Sequence, residues 1–416
     1  MRIGFKKVQI TPPVGTELGG YAGYRPCTGV HDDLFCRAVV LEQEGKRYGL
    51  AVLDLMCADE GLCQAVVERV KDFGIESHRL ILAAIHTHAA PTGMIPGAGP
   101  LAGINGPEEP KNPEFMDYIR SVVEKTAWAL AGAAENLEHF QIRSGRCPAP
   151  VIGSERHTGA TAMGDLTAVQ IRTDSGKTMI LYNLPCHPTV LNAQNTLVSR
   201  DFAAGIEELL GADMAVFLNG AAGDISTRFT RRASSFEECD RMGRVAAEAV
   251  RDLLETAVYQ GPQPLKGIHR KVTLEARQVE TEEKALEVLA MTQEKVRQAQ
   301  VAGEEPGALR ILQSYVEGAG VSLQFARTMA GIRTLDLPVT VFRMGELEFA
   351  TIPGELFSTL APEGMGIIAY ANGYYRYIAD RGAYDAGYYE AMAAILARGQ
   401  GEKLLAEIEN MRKELA

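Results

Sequence analysis

Residues 80–91 read Leu80-Ile81-Leu82-Ala83-Ala84-Ile85-His86-Thr87-His88-Ala89-Ala90-Pro91, an apolar run that ends in two histidines two positions apart. The run reads as a buried strand. A strand alternates its side chains between faces, so His86 and His88 project the same way if the chain stays extended through them. Neutral imidazole nitrogens at the end of a strand are suitable first ligands for zinc, which usually takes three or four protein groups. Taken alone, the stretch reads somewhat better as two hydrogen-bonded structural histidines, so the case for a metal rests on partners elsewhere in the chain.

Outward from this stretch, strand-like and helix-like runs alternate. RAVVLEQ (37–43) and YGLAVLDL (48–55) precede a helix over about 59–73 and the run LILAAIH. A long helix follows Asn112, the expected N-cap, with Pro113 in its first turn and Phe115, Ile119, Val122, Val123 and Leu130 at helical spacing. Its other face is polar, so it should cover a sheet. Further strands read at AVQIRT (168–173), TMILYNLPC (178–186) and MAVFLNG (214–220). A short helix follows Asp201, and a longer one follows Ser235 with Glu238 placed for a capping box. Residues 280–330 are charged, Ala/Leu-rich and helical, and read as an insertion. LPVTVFRM (337–344) and LEFATIP (347–353) flank Gly345 as a hairpin, and a helix over about 402–415 comes last. The expected class is α/β, with layered mixed β-sheets flanked by helices, in a single domain over 1–416 that carries the helical insertion. No internal repeat is visible.

Composition narrows the function. The 416 residues are 46% hydrophobic and 23% charged, which suits one large or two medium domains. Lys and Arg total 42 against 53 Asp and Glu, a formal charge of -11 with no basic cluster, which argues against nucleic acid as a partner. The seven cysteines include no C-x-x-C pair, so neither a disulfide framework nor a thiolate zinc site is indicated. The opening MRIGFKKVQITPPVG has no apolar signal core, and no apolar run reaches the ~18 residues that span a bilayer. The expectation is a soluble cytoplasmic protein with no transmembrane segment.

Other strand ends supply partners for the histidines. His187 follows TMILYNLPC directly, and Pro188 holds it extended. MAVFLNG runs into AAGDIST, whose small residues let Asp224 and Ser226 approach a ligand, unless the loop is simply a tight turn. Glu355, in IPGE, puts a carboxylate where a buried strand emerges, and such a charge either reaches solvent or meets a cation. The segment 370–391 holds seven of the fourteen tyrosines, as packing or as a substrate-facing surface. Together these place histidines, a carboxylate and phenols at the ends of different strands, as metal sites in α/β proteins are assembled. The Gly/Pro-rich loop MIPGAGPLAGINGPEEPKNP (94–113) is expected to line or cover the pocket.

With these motifs in order, the chain resembles the neutral, or alkaline non-lysosomal, ceramidases and their shorter bacterial relatives, which are zinc amidohydrolases. VQITPPVGTELGGY, VHDDLFCRAVVLE, LAVLDL, IHTHAAPTG, CHPT, NGAAGDIS, IPGE and the tyrosine block carry the likeness. The resemblance implies one zinc ion per chain, held by His86, His187, Glu355 and Tyr377, with Tyr374 and Tyr375 as the alternatives for the phenol. It implies His88 beside the metal facing substrate, and an active-site Arg156 in GSERHTG. Around the serine this chain departs from the family's G-D-x-S-P-N, reading Gly223-Asp224-Ile225-Ser226-Thr227-Arg228. The reaction implied is hydrolysis of an amide in a small-molecule or lipid-like acyl-amide substrate by a metal-activated water. Tyr389 would polarise the carbonyl, His88 and Ser226 would move protons, and Arg156 would hold a polar part of the substrate. The alternatives are a zinc-dependent esterase or lactonase on a small soluble substrate, or a non-catalytic binding protein on the same fold.

Overall fold

The computed structural model describes residues 1–98, 101, 104 and 114–415, with the side chains of residues 306, 307, 310 and 311 excepted. Asn112, Pro113 and most of the loop 94–113 lie outside the described residues, so the expected N-cap and pocket cover fall there too. The described residues form three four-stranded sheets that share one topology. In the first, β1 (Arg2–Gln9), β2 (Phe35–Gln43) and β3 (Lys46–Leu53) pair antiparallel in sequence order, and helix α1 (Glu60–Val70) crosses over to β4 (Ile75–Ala84), which joins β3 in parallel. Helix α2 (Glu114–Glu135) then returns across β1 and β2.

The same path is walked twice more. Strands β5 (Phe140–Pro148), β6 (Asp165–Thr173) and β7 (Thr178–Leu184) are antiparallel neighbours; α3 (Phe202–Leu210) leads to β8 (Met214–Asn219), parallel to β7, and α4 (Phe236–Glu255) packs on β5 and β6. In the third unit β9 (Leu265–Glu275) pairs with β10 (Thr334–Met344), which pairs with β11 (Leu347–Thr351); β12 (Gly366–Ile368) then joins β11 in parallel, and the helix Gln400–Leu415 packs on β9 and β10. Even the return is repeated: after α2, Glu138 bridges to Ile3 of β1, and after α4, Gln260 bridges to Ile142 of β5. The helices α5 (Glu282–Ala302) and α6 (Pro306–Thr328) pack on each other between β9 and β10, whose register stays unbroken from Leu265↔Met344 to Glu275↔Thr334.

The central strands of the first sheet are apolar on both faces, which is why they read as continuous apolar runs. In β2, Cys36, Ala38 and Val40 join the core beneath α2, whereas Val39 and Leu41 join the core shared with the second sheet. Helix starts obey the expected chemistry. Asp59 accepts from Leu62 N at 2.7 Å ahead of α1, and Ser235 accepts from Glu238 N at 3.3 Å ahead of α4. The capping box is only half made, because Glu238 turns its carboxylate to Arg232 N (2.8 Å) and to Arg241. Among the described residues no helix is long and apolar enough to cross a membrane.

Each unit ends its parallel strands at the same place. The segments after β4, β7, β8, β11 and β12 meet there, and Asn219, buried at the end of β8, joins all three units. Its Nδ2 donates to Ile85 O (3.1 Å) and its Oδ1 accepts from Cys186 N (3.3 Å), while its backbone carbonyl accepts from Ala369 N (3.0 Å). Those three residues immediately precede His86, His187 and Tyr370.

Candidate metal centre

The convergence of His86 and His88 does not come from strand alternation. Strand β4 stops at Ala84, and His86 adopts φ 68°, a left-handed conformation that side-chain-bearing residues rarely take. The turn folds the chain so that the two Nε2 atoms lie 3.3 Å apart. Tyr370, at the equivalent exit of β12, is also left-handed (φ 54°), and its ring stacks on that of His86 at 4.0 Å. Strained backbone of this kind persists only where the surroundings hold it, and here Asn219 grips the residue before each.

The hydrogen bonds around the imidazoles fix their tautomers. His86 Nδ1 donates to Met56 O (2.7 Å), and His187 Nδ1 donates to Ala222 O (2.5 Å) and Ile225 O (3.1 Å). A carbonyl oxygen only accepts, so both Nδ1 atoms carry a proton, and in the neutral ring each Nε2 presents a lone pair. Those lone pairs point at Glu355, whose Oε2 lies 3.0 Å from His187 Nε2 and 3.4 Å from His86 Nε2. Acceptors facing acceptors at this distance repel unless a positive charge sits among them. His86, His88 and His187 bring three ring nitrogens within 4.8 Å of one another, a buried group that can hold a metal ion. Borderline divalent metals suit imidazole with one carboxylate, so the donor set fits zinc.

The second layer is equally specified. Tyr374 donates its hydroxyl to Glu355 Oε1 at 2.6 Å, which turns Oε2 toward the histidines. Glu355 is buried, and burial alone would raise its pKa; positive charge on the side that faces His86 and His187 outweighs that and holds it well below the usual carboxylate range. Burial lowers His187 to about 4, helped by the charge of Arg156. Burial likewise pushes His88 well below the usual histidine range, with His86 and His187 acting in the same direction. The Nδ1 of His88 is buried without a hydrogen-bond partner. Its ring abuts Tyr21 at 4.8 Å, and a β-carbon on Gly20 would lie 2.3 Å from it, so the ELGGY motif near the start of the chain makes room for this imidazole.

The other expected residues surround this centre at differing depths. Tyr377 pairs in parallel register with Glu355, and its hydroxyl accepts from Arg156 Nη1 at 3.2 Å. Burial first, and Glu355 second, raise its phenol well above the usual value. Arg156 also reaches Glu390 Oε1 (3.1 Å), while His157 Nε2 meets Glu390 Oε2 (3.1 Å); the Nε of Arg156 has no hydrogen-bond partner. Tyr389 lies edge-on to Tyr377 with ring centroids 5.9 Å apart, and burial raises it to about 12. Ser226 bridges His187 through the backbone, and its hydroxyl faces Arg228 N at 3.5 Å. Tyr375 leaves the site for Glu60 and Asp336 O.

Two sequence readings change in detail. The small residues of AAGDIST make room for the chain: Gly223 N donates to Leu356 O (2.8 Å), and a β-carbon there would lie 2.5 Å from Glu355 O. Asp224 accepts from Ser358 N and Ser358 Oγ, both at 2.7 Å, and so anchors the segment that carries Glu355. Glu390, His157 and Asn219 were not singled out from sequence. Glu390 and His157 stand beside motifs that were, in YYEA and GSERHTG, but only the fold shows their contact.

The fold and site define a mixed α/β protein with a histidine and carboxylate centre at its strand ends that can hold a metal ion. The family can be stated as well: the model of the neutral/alkaline non-lysosomal ceramidases, N-terminal region, matches residues 1–305, and the chain belongs to that family. Its members are hydrolases. The match contains His86, His88, Arg156, His187 and Ser226, whereas Glu355 and the tyrosine block lie beyond it. Neutral ceramidase from Pseudomonas aeruginosa has a similar structure, with a TM-score of 0.73 at 17% identity, over 100% of this chain and 75% of that one. A ceramidase complexed with C2 aligns with a TM-score of 0.71, also at 17% identity and with the same coverage. At such identity these likenesses speak for the fold. Comparison with curated proteins finds no match.

Proposed function

We propose that the chain is a zinc-dependent hydrolase that cleaves the amide bond of an N-acyl amine, with residues 1–416 acting as one catalytic unit and 280–330 as an insertion in it. The observation that carries this is the convergence of the His86 and His187 lone pairs on the Glu355 carboxylate, with the His88 Nε2 beside them. His86, His187 and Glu355 would hold the ion, with Tyr377 as the phenol ligand and His88 adjoining. Bound there, zinc supplies a polarised water at neutral pH and a positive charge for the carbonyl oxygen.

The remaining roles belong to the protein. Arg156 stays charged while buried, because Tyr377 and Glu390 offset the cost of burial, and its unpartnered Nε is free to donate to a substrate oxygen. Tyr389, a protonated phenol, is a second donor on the same side. His88, neutral and with Nδ1 unpartnered, is the group able to accept a proton and pass it to a leaving amine. Ser226 supports His187 through its backbone bridge.

The test is metal analysis of the purified protein together with turnover of N-acyl amides and p-nitrophenyl esters, with and without chelator. One zinc per chain and chelator-sensitive amide cleavage are expected. Turnover confined to esters or lactones would replace the amide assignment, and no chelator-sensitive turnover of either kind would sink the enzymatic reading.

A further inference from the structure

Between the strands, from their far ends up to Leu218 and Ile368, the three sheets do not close on one another. They leave a cavity of about 410 Å³, lined from the first sheet by Leu50 and Ile81, from the second by Val169 and Leu181, and from the third by Phe342 and Leu347. All but Val169 keep part of their surface uncovered. Protein interiors pack nearly as densely as organic crystals, with few voids larger than a water. A gap of this size is in the range of ligand sites, and an apolar one stays dry and takes apolar molecules. None of the residues of the metal centre lines it.

The rim carries two cations. Lys46 and Arg79 border the opening beside His78 and His269, and burial lowers the pKa of His269. Arg79 lies near the ring of Tyr48 (5.7 Å) and pairs with Glu76 (3.1 Å), which also faces His78 (3.4 Å); His269 is held by Thr340 (3.0 Å). Against Lys46 and Arg79 these contacts set the single carboxylate of Glu76, which leaves positive charge over, so the opening favours a negatively charged head group. We propose that the cavity binds a single alkyl chain ending in a carboxylate, a medium- or long-chain fatty acid, with the chain between the sheets and the head at Arg79 and Lys46. This rests on the lining and the rim, not on the reaction proposed above, although cleavage of an N-acyl amine would release just such a molecule.

Titration calorimetry of the holoprotein with hexanoate, octanoate, decanoate and dodecanoate below their micelle concentrations tests it. One site is expected, tightening about fourfold per methylene, as about 0.8 kcal/mol per buried CH₂ requires, until the cavity is filled. Dodecylammonium should bind at least tenfold more weakly. Leu181→Trp should abolish binding and Arg79→Glu should weaken it, whereas Glu355→Gln should leave it unchanged. Loss of binding in Glu355→Gln would place the acid in the metal centre and overturn the proposal, as would indifference to the head group or to both Leu181→Trp and Arg79→Glu. A concentration-dependent dimer dispersed by Leu181→Trp would show that a second copy fills the gap, which also overturns it. Should Leu181→Trp fail to fold, the position of bromine from a brominated decanoate in crystals decides, between the sheets or elsewhere.

Discussion

Along strand β4 the surroundings invert within five residues. Ile81 looks into an apolar gap between sheets that fail to meet, while His86 sits in a left-handed turn held from three sides. At the site end His86, His187 and Glu355 each have a named partner, and one amide, Asn219, ties the three units together. At the other end contacts are dispersive and space is left over. Both ends are built from the same strands, so the difference lies in the loops into which the strands run rather than in the strands themselves. It teaches that equal-sized substitutions at the two ends should differ greatly in effect.

The largest effect should come from the carboxylate. Glu355→Ala is expected to lower kcat/KM by three orders of magnitude or more, about 4 kcal/mol of transition-state stabilisation, with loss of bound zinc measured in the same preparation. Retained metal and turnover would break the contrast at its strongest point. Asn219→Ala comes next. It strands Ile85 O and Cys186 N in a buried place, at a cost of about 3 kcal/mol in urea unfolding, and it should also lower activity because both neighbours carry histidines.

Acid should weaken the site end before the apolar end notices. In the unfolded chain a histidine titrates near 6.5, whereas His187 folded lies at about 4, so between those values the unfolded state binds the extra proton and stability falls as pH drops. Glu390 extends the trend: burial would raise it, but His157 and Arg156 outweigh that and bring it to about 2. Its contribution is present above the unfolded value of about 4.3 and is lost as pH falls toward 2. Metal-free protein should therefore lose on the order of a few kcal/mol between pH 6.5 and 4, measured by thermal unfolding against pH. Glu390→Gln, which leaves Arg156 and His157 without their carboxylate, should cost about 10- to 100-fold in turnover with little change in far-UV dichroism. The smallest effect belongs to the other end. Leu181→Phe would ordinarily overpack a core by about 1–3 kcal/mol, but the gap should absorb it within about 1 kcal/mol with turnover intact.

The strands were legible because buried strands are apolar runs, and RAVVLEQ, LILAAIH and MAVFLNG all fall within observed strands or end just past them. The candidate site was legible where chemistry is costly to bury: Glu355 at a strand end and His187 before a proline. What sequence could not show was geometry set at a distance. The left-handed turns at His86 and Tyr370 leave no local mark, since neither residue favours them. Nor did adjacency separate the tyrosines, of which Tyr374 meets Glu355, Tyr375 meets Glu60 and Tyr377 meets Arg156. The threefold topology was hidden because its units differ in spacing, and α5 and α6 interrupt the third between its first two strands.

That repetition carries a hazard during synthesis. Three sheets that each take a parallel fourth strand present three edges of like topology, and a chain of this size is liable to populate trapped, misassembled states. Helix content and sheet content would barely differ between the right and wrong arrangements. Asn219 discriminates, because its three hydrogen bonds require residues from each unit at once. Retention of the metal after refolding would therefore report which strand found which edge, where dichroism could not.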